Sequence, residues 1–254
     1  MAGRTAYSPT KYAALNLLLA RWARKVAAPG GHRYVTLGGT ELKDLSILTF
    51  IDRELASGAL SIECDDGRFW MASETAKRLR EDHQVSVEVL QGEFFEYRRE
   101  SDEPHLFFLD LEGIFAWGRY PQLLGRFLAN ATLGEGDTFV VTSYLGRHPG
   151  WQRVFSTYEA QFGMLGASSE SAKRDYYKWA HPTFTLFQAL ETEGLSGELL
   201  VCCIGCVWYR GTSPMGVWAY SFDEGRTRFT DLVHSGWSNR FDVNRGLVSY
   251  PAGA

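Results

Sequence analysis

Cysteine, a basic excess and long apolar runs are all scarce in this sequence, and each scarcity excludes something. There are four cysteines in 254 residues, three of them crowded at Cys202, Cys203 and Cys206. That is no disulfide framework, so a reducing, cytoplasmic setting is expected. Cys203 and Cys206 have the spacing of half a zinc site, but no second Cys/His pair follows. Residues three apart on a regular strand face opposite ways, so these cysteines are read as small core residues, with no metal. No apolar run approaches the roughly 20 residues of a membrane span. Lys and Arg number 26 against 30 Asp and Glu, a formal net charge of −4. This balance does not favour electrostatically driven nucleic-acid binding, although it leaves room for a local basic patch. GxSxG, Walker A and HExxH motifs are missing, as is GxGxxG after the first apparent strand. Hydrolase, P-loop, zinc-protease and NAD chemistries therefore lose their usual support.

What is present is a hydrophobic content of 45%, sufficient for one large core. Tyr12, Leu15, Leu19, Trp22 and Val26 recur at helical spacing, with Lys11, Arg21, Arg24 and Lys25 between them. Ser8-Pro9 supplies an N-cap with proline in the first turn. Residues 1–30 are thus expected to form an amphipathic helix packed on a single domain, 31–254. In that domain the run RYVTLGG predicts a strand, and Thr40 is placed to cap a helix with the apolar face Leu42, Leu45, Leu48, Ile51 and Leu55. ALSIE, VSVEVLQG, HLFFLDLEG and DTFVVTSY follow as strands, separated by helical stretches such as FWMASETAKRLRED and 122–131. The segment 145–180 is polar and irregular enough to be an insertion or lid, with a further helix expected over 182–193. LLVCCIGCVWYR and GVWAYSF close the pattern as a hairpin joined by GTSP. Such alternation predicts an α/β fold: a Rossmann-like three-layer sandwich with a mostly parallel seven-stranded sheet and a C-terminal antiparallel hairpin. Ligands of such sheets sit outside the carboxyl ends of the strands.

This order, over 34–222, resembles the class I S-adenosylmethionine-dependent methyltransferases. In that family the loop after the first strand carries an acidic-x-Gly-x-Gly-x-Gly pattern. The corresponding Thr36-Leu37-Gly38-Gly39-Thr40-Glu41-Leu42 keeps Gly38 in place and has Thr36 where the acid would stand, a degenerate motif. The resemblance implies S-adenosylmethionine as cofactor, lined by Gly38, Gly39 and Thr40. It also implies ribose hydroxyls on Glu63 at the end of strand two, with Asp65 as a second candidate, and adenine near Gly92 and Glu93. It places Asp110 and Glu112, after LFFL, at the acceptor, where a carboxylate at the mouth of a buried strand is costly unless solvated, paired or used.

His181, with His148, Tyr176, Tyr177 and Lys178 beside it, is a candidate base for methylation of an acceptor oxygen. Basic and aromatic residues interleave over 173–179, a pattern compatible with stacking on nucleobases. The implied function is methyl transfer to an unspecified acceptor. The alternative is a non-catalytic methyltransferase-like subunit that has lost cofactor binding and engages a protein partner.

Overall fold

A computed structural model describes residues 9–25, 31–111, 120–146, 148, 150–162, 169–210, 213–238 and 240–242. In chain order they form α1 (Pro9–Lys25), β1 (Arg33–Leu37), α2 (Lys43–Ile51), α3 (Arg53–Ala56), β2 (Ala59–Glu63), α4 (Asp66–His83), β3 (Val87–Gln91) and β4 (His105–Leu109). There follow α5 (Tyr120–Ala131), β5 (Thr138–Tyr144), α6 (Trp151–Phe162), α7 (Glu170–Thr192), β6 (Leu199–Arg210), β7 (Pro214–Glu224), α8 (Phe229–Ser238) and β8 (Arg240–Asp242). One sheet runs β3-β2-β1-β4-β5-β7-β6-β8. The first five strands are parallel, β7 is antiparallel to both β5 and β6, and the short β8 adds an eighth strand to the seven expected. The strand order reverses between β1 and β4, and in sheets of this kind the crevice that takes a ligand lies at the carboxyl ends of the strands on either side of that reversal.

The central strands are apolar on both faces because both are covered. Leu106 and Phe108 of β4 join the core under α1, α2 and α4, whereas Phe107 and Leu109 join the core under α5, α7 and α8. Helix α1 lies along the hairpin on the first face. Its Trp22 is buried and donates from Nε1 to Thr138 Oγ1 at 3.1 Å, near the amino end of β5.

Four local expectations change. Thr40 does not cap α2: Gly39 and Leu42 both take left-handed conformations (φ 66° and 43°), so the helix begins after Leu42, and the Thr40 carbonyl accepts instead from Thr75 Oγ1. The apolar face from Leu42 to Leu55 is not one helix, because Asp52 is extended and caps α3 through the Leu55 amide at 3.0 Å. The stretch expected to be irregular over 145–180 instead contains α6 and the first half of α7, and α7 runs through Pro182 rather than starting there. Cys203 and Cys206 share a face after all. A bulge between Cys203 and Gly205 shifts the register, so both cysteines join the core beside α8 while Ile204 and Val207 turn to the other side. Neither cysteine forms a disulfide, and no cluster of metal-ligating side chains occurs among the described residues. No described helix is long and apolar enough to cross a membrane.

At the amino edge of the sheet, buried Asp137 accepts from the amides of His105 at 2.7 Å and Gly134 at 2.8 Å, and pairs with Arg99. It thereby ties the start of β4 to the turn before β5. Asp137→Ala orphans two amides and removes the counter-charge of Arg99, and is expected to cost about 2–4 kcal/mol in urea unfolding at neutral pH. A change below about 1 kcal/mol would show that water replaces these bonds without loss.

Candidate functional site

The crevice is built on the loop that joins β1 to α2. Gly38 is there because nothing larger fits: a Cβ on it would lie 2.7 Å from Asp44 Oδ1. Asp44, in the first turn of α2, is fully buried and reaches back under the loop. Its Oδ2 accepts from Tyr34 Oη at 2.7 Å and from Thr36 Oγ1 at 2.6 Å, while Oδ1 has no partner. Burial pushes the Asp44 carboxyl above its ordinary range. The Thr36 and Tyr34 hydrogen bonds oppose that rise and the nearby Asp110 charge adds to it. Tyr34 is driven the same way by burial and by Asp44. Sequence inspection did not select Asp44, which looks like an ordinary acid at a helix N-terminus. The signal available was Thr36 standing where an acid was expected.

Gly39 adopts φ 66°, and a Cβ there would meet nothing within 4 Å. Its backbone lies beside the carboxylate of Glu63, the last residue of β2, and favours the ionised form. Glu63 is buried and its Oε1 has no partner. Burial raises its carboxyl, against the Gly39 backbone and the Arg68 charge. Asp65 is used otherwise, capping α4 through the Arg68 amide at 2.9 Å. The Gly92 amide bonds the Glu63 carbonyl at 3.1 Å, which holds the loop after β3 against the end of β2. Glu93 beside it is exposed, and Thr40 is half-buried. Gly38, Gly39, Glu63 and Gly92 therefore converge on the carboxyl ends of β1, β2 and β3.

Asp110 follows β4 and is held on both oxygens. Lys11 Nζ, from the first turn of α1, lies 2.6 Å from Oδ2, and Thr142 Oγ1 donates to Oδ1 at 2.8 Å. Thr10 fixes the same turn of α1 to the Arg210 carbonyl at the end of β6, at 2.9 Å. The N-terminal helix thus reaches the carboxyl end of β4, and Lys11 brings a cation to the Asp110 carboxylate. Glu112 lies outside the described residues.

The histidines form a separate seat on the other face. Pro182 removes the N–H that would bond the Lys178 carbonyl, and His181 Nδ1 donates to that carbonyl at 3.1 Å. The next carbonyl, Trp179, accepts from Trp218 Nε1 at 2.9 Å. His181 Nε2 then accepts from Ser143 Oγ at 3.0 Å. Both ring nitrogens are engaged, and full burial, with His148 beside it, pulls the pKa down to about 3 against the bond to the Lys178 carbonyl. His148 is likewise lowered by burial, bonding the Tyr144 carbonyl at 2.9 Å and the Tyr177 hydroxyl at 3.2 Å. Tyr176 and Tyr177 are buried. Lys173 pairs with Glu159 of α6 at 3.2 Å, Arg174 covers the Trp151 ring and Trp179 stacks on Trp208 at 3.8 Å. The interleaved stretch 173–179 is consumed in packing α7 and is not arranged as a row of exposed rings for nucleobases.

No protein-family model matches the chain, and no curated protein matches it. Solved structures do. An O-methyltransferase from Bacillus cereus in complex with SAH is 14% identical, covers 86% of this chain and 84% of its own, and gives a TM-score of 0.48. Magnesium protoporphyrin IX methyltransferase from Synechocystis PCC 6803 with bound SAH is 7% identical over 85% and 83%, at 0.49. The sheet order itself, five parallel strands followed by the antiparallel β7-β6 pair, is that of a Rossmann-like three-layer α/β fold.

A neutral buried His181 has a measurable signature. Its folded pKa lies below the ordinary 6.5, so the unfolded chain binds the extra proton first. Its contribution is full above about pH 6.5 and is lost as pH falls toward 3, at up to about 1.4 kcal/mol per pH unit. His181→Gln is expected to flatten that acid limb of the unfolding free energy while lowering the plateau at pH 8. Identical acid limbs in the two proteins would show that the fold leaves the His181 pKa at its ordinary value.

Proposed function

We propose that the chain is an S-adenosylmethionine-dependent methyltransferase, binding its cofactor across the carboxyl ends of β1, β2 and β3 and its acceptor beside β4 and β5. The observation that carries this reading is Glu63. A buried carboxylate oxygen without a partner is costly, and a ligand with adjacent hydroxyls, such as a ribose, would complete it. The Gly39 backbone beside the carboxylate favours its ionised form, the form that accepts from hydroxyls. The space beside Gly39 and the tether from Gly92 to Glu63 suit a nucleoside lying over the strand ends. These residues fit the cofactor. Gly38 and Thr40 would line its near side, with Glu93 at the rim.

The cofactor supplies an electrophilic methyl group on a sulfonium, and the protein's task is to hold donor and acceptor in line. Asp44 would take the role left open at Thr36. Its carboxylate is delivered from α2 to the Thr36 hydroxyl beneath Gly38, favouring a cationic group above the loop. Asp110 would present a fixed edge to the acceptor, oriented by Lys11 and Thr142. His181 is assigned to positioning Ser143 rather than to proton transfer, since both its nitrogens are engaged. A non-catalytic subunit is the second reading. It is favoured by the same saturation of Asp110 and by the side chain of Asp44 occupying the space beside Gly38.

Calorimetric titration of S-adenosylmethionine and S-adenosylhomocysteine separates the two. The wild-type protein is expected to bind both in the micromolar range. Glu63→Gln is expected to weaken both at least tenfold, about 1.4 kcal/mol, without loss of melting temperature, because the neutral amide is cheaper to bury. Failure of the folded wild-type protein to bind either ligand would leave the non-catalytic reading in its place.

A further inference from the structure

Strand β3 ends the sheet, so one side of its backbone faces no other strand. Edges of this kind are commonly blunted by proline, a bulge or a covering loop. Strand β3 contains no proline, and its register with β2 is regular from Ala59↔Val87 to Glu63↔Gln91. Beside it, between the strand and α4, runs a groove of about 230 Å³ lined by Ser73, Ala76, Lys77, Arg80, Val87 and Val89. Its floor is apolar, since Val87, Val89 and Ala76 belong to the core under α4.

The wall is cationic. Ser73, Lys77 and Arg80 lie on one stripe of α4, and Trp70, 68% exposed, extends that stripe toward the crevice. Among the described residues neither Lys77 nor Arg80 forms an ion pair, and the lining contains no carboxylate. The one acid of β3, Glu88, alternates to the opposite face, where it pairs with Arg33 at 3.5 Å. The stripe's one carboxylate, Asp66, lies at its far end beyond Trp70, where it accepts from Gln91 Nε2 of β3, so the cations stand alone over Val87 and Val89.

We infer that this edge is a docking site for an extended, acidic segment of a partner protein, added as a further strand beside β3. The backbone would bond the open edge, and alternate side chains would point to the groove. Acidic residues two apart on a strand are about 6.6 Å apart, close to the roughly 4.5 Å rise between Lys77 and Arg80, and long side chains close the difference. A single-stranded nucleic acid could use the two cations and Trp70, but it would leave the amides and carbonyls of the strand unanswered. A second copy of the chain would bring two cationic walls to one seam.

The test uses a short fluorescein-labelled peptide of alternating valine and glutamate, followed by fluorescence anisotropy against the full chain. Saturable binding is expected, with a loss of roughly tenfold or more when the peptide's backbone amides are N-methylated at alternate positions. A similar loss is expected in the Lys77→Glu/Arg80→Glu double variant, whose melting temperature checks the fold. Absence of saturable binding would overturn the proposal. So would equal affinity for the N-methylated peptide, which would show that charge alone is at work. Tighter binding of an RNA oligonucleotide of matched length would overturn it in favour of nucleic acid, and light scattering that reports a dimer lost in the double variant would overturn it in favour of self-association. S-adenosylmethionine binding reports on a different part of the molecule, so neither result depends on the other.

Discussion

The carboxylate of Asp44 is the constraint around which the crevice is arranged. A fully buried acid needs donors, and Tyr34 and Thr36 supply them from alternate positions of β1, both on the face toward α2. Those two bonds fix where α2 starts relative to β1. The start of α2 in turn requires the chain to turn within five residues, with Gly39 and Leu42 in left-handed conformations. Leu42 is an unfavourable residue for that conformation, at a cost of order 1–2 kcal/mol, and its full burial offsets it. Gly38 has no side chain because the carboxylate occupies the place of one. One internal acid therefore determines the loop, the helix start and the floor of the crevice.

Two further contacts bring distant parts of the chain to the same edge of the sheet. Lys11 and Thr10 carry the start of α1 across to β4 and β6, and the helix then runs back along the hairpin until Trp22 meets Thr138 near the opposite edge. On the other face, Pro182 leaves the Lys178 carbonyl without its helical donor, His181 takes it, and the next carbonyl, Trp179, accepts from Trp218. A proline inside a helix is ordinarily destabilising by about 3 kcal/mol. Here the exposed acceptors are answered by buried donors that would otherwise lack partners, so helix and sheet are joined where the helix is weakest. The proposed acceptor side of the crevice thus lies between an ion pair on one face and a neutral histidine on the other.

Much of this arrangement was legible in the residues. HLFFL has the continuous apolar run expected of a strand covered on both faces, the alternation of strands and helices indicated a parallel sheet, and GTSP between two β-rich runs was consistent with a hairpin. Glu63 was identifiable as the acid ending ALSIE, and Gly38 and Gly39 as the turn after RYVTL. Other features were not legible, for reasons that can be named. The bulge that turns Cys203 and Cys206 to one face depends on the partner strand β7 and leaves no mark in the spacing. The helix through Pro182 is held by burial on nearly every side, which overrides proline's usual place at a helix start. The polar composition of 145–180 concealed α6 and α7 because their aromatic residues, among them Trp151, Phe155, Tyr176 and Tyr177, are the part that is buried.

The sequence by itself determined the class of fold and the order of its elements, because hydrophobic periodicity and turn residues are local properties that each segment carries alone. It also placed an acid at the end of β2, since strand ends are marked by the residues that follow them. The tertiary structure decided which charges meet. Lys11 and Asp110 are 99 residues apart, Trp22 and Thr138 are 116 apart, and Asp44 differs from any other acid in a first helical turn only because Tyr34, Thr36 and Gly38 surround it. Pairing of this kind depends on distance in space and on exclusion of water, and neither exists until the sheet has formed.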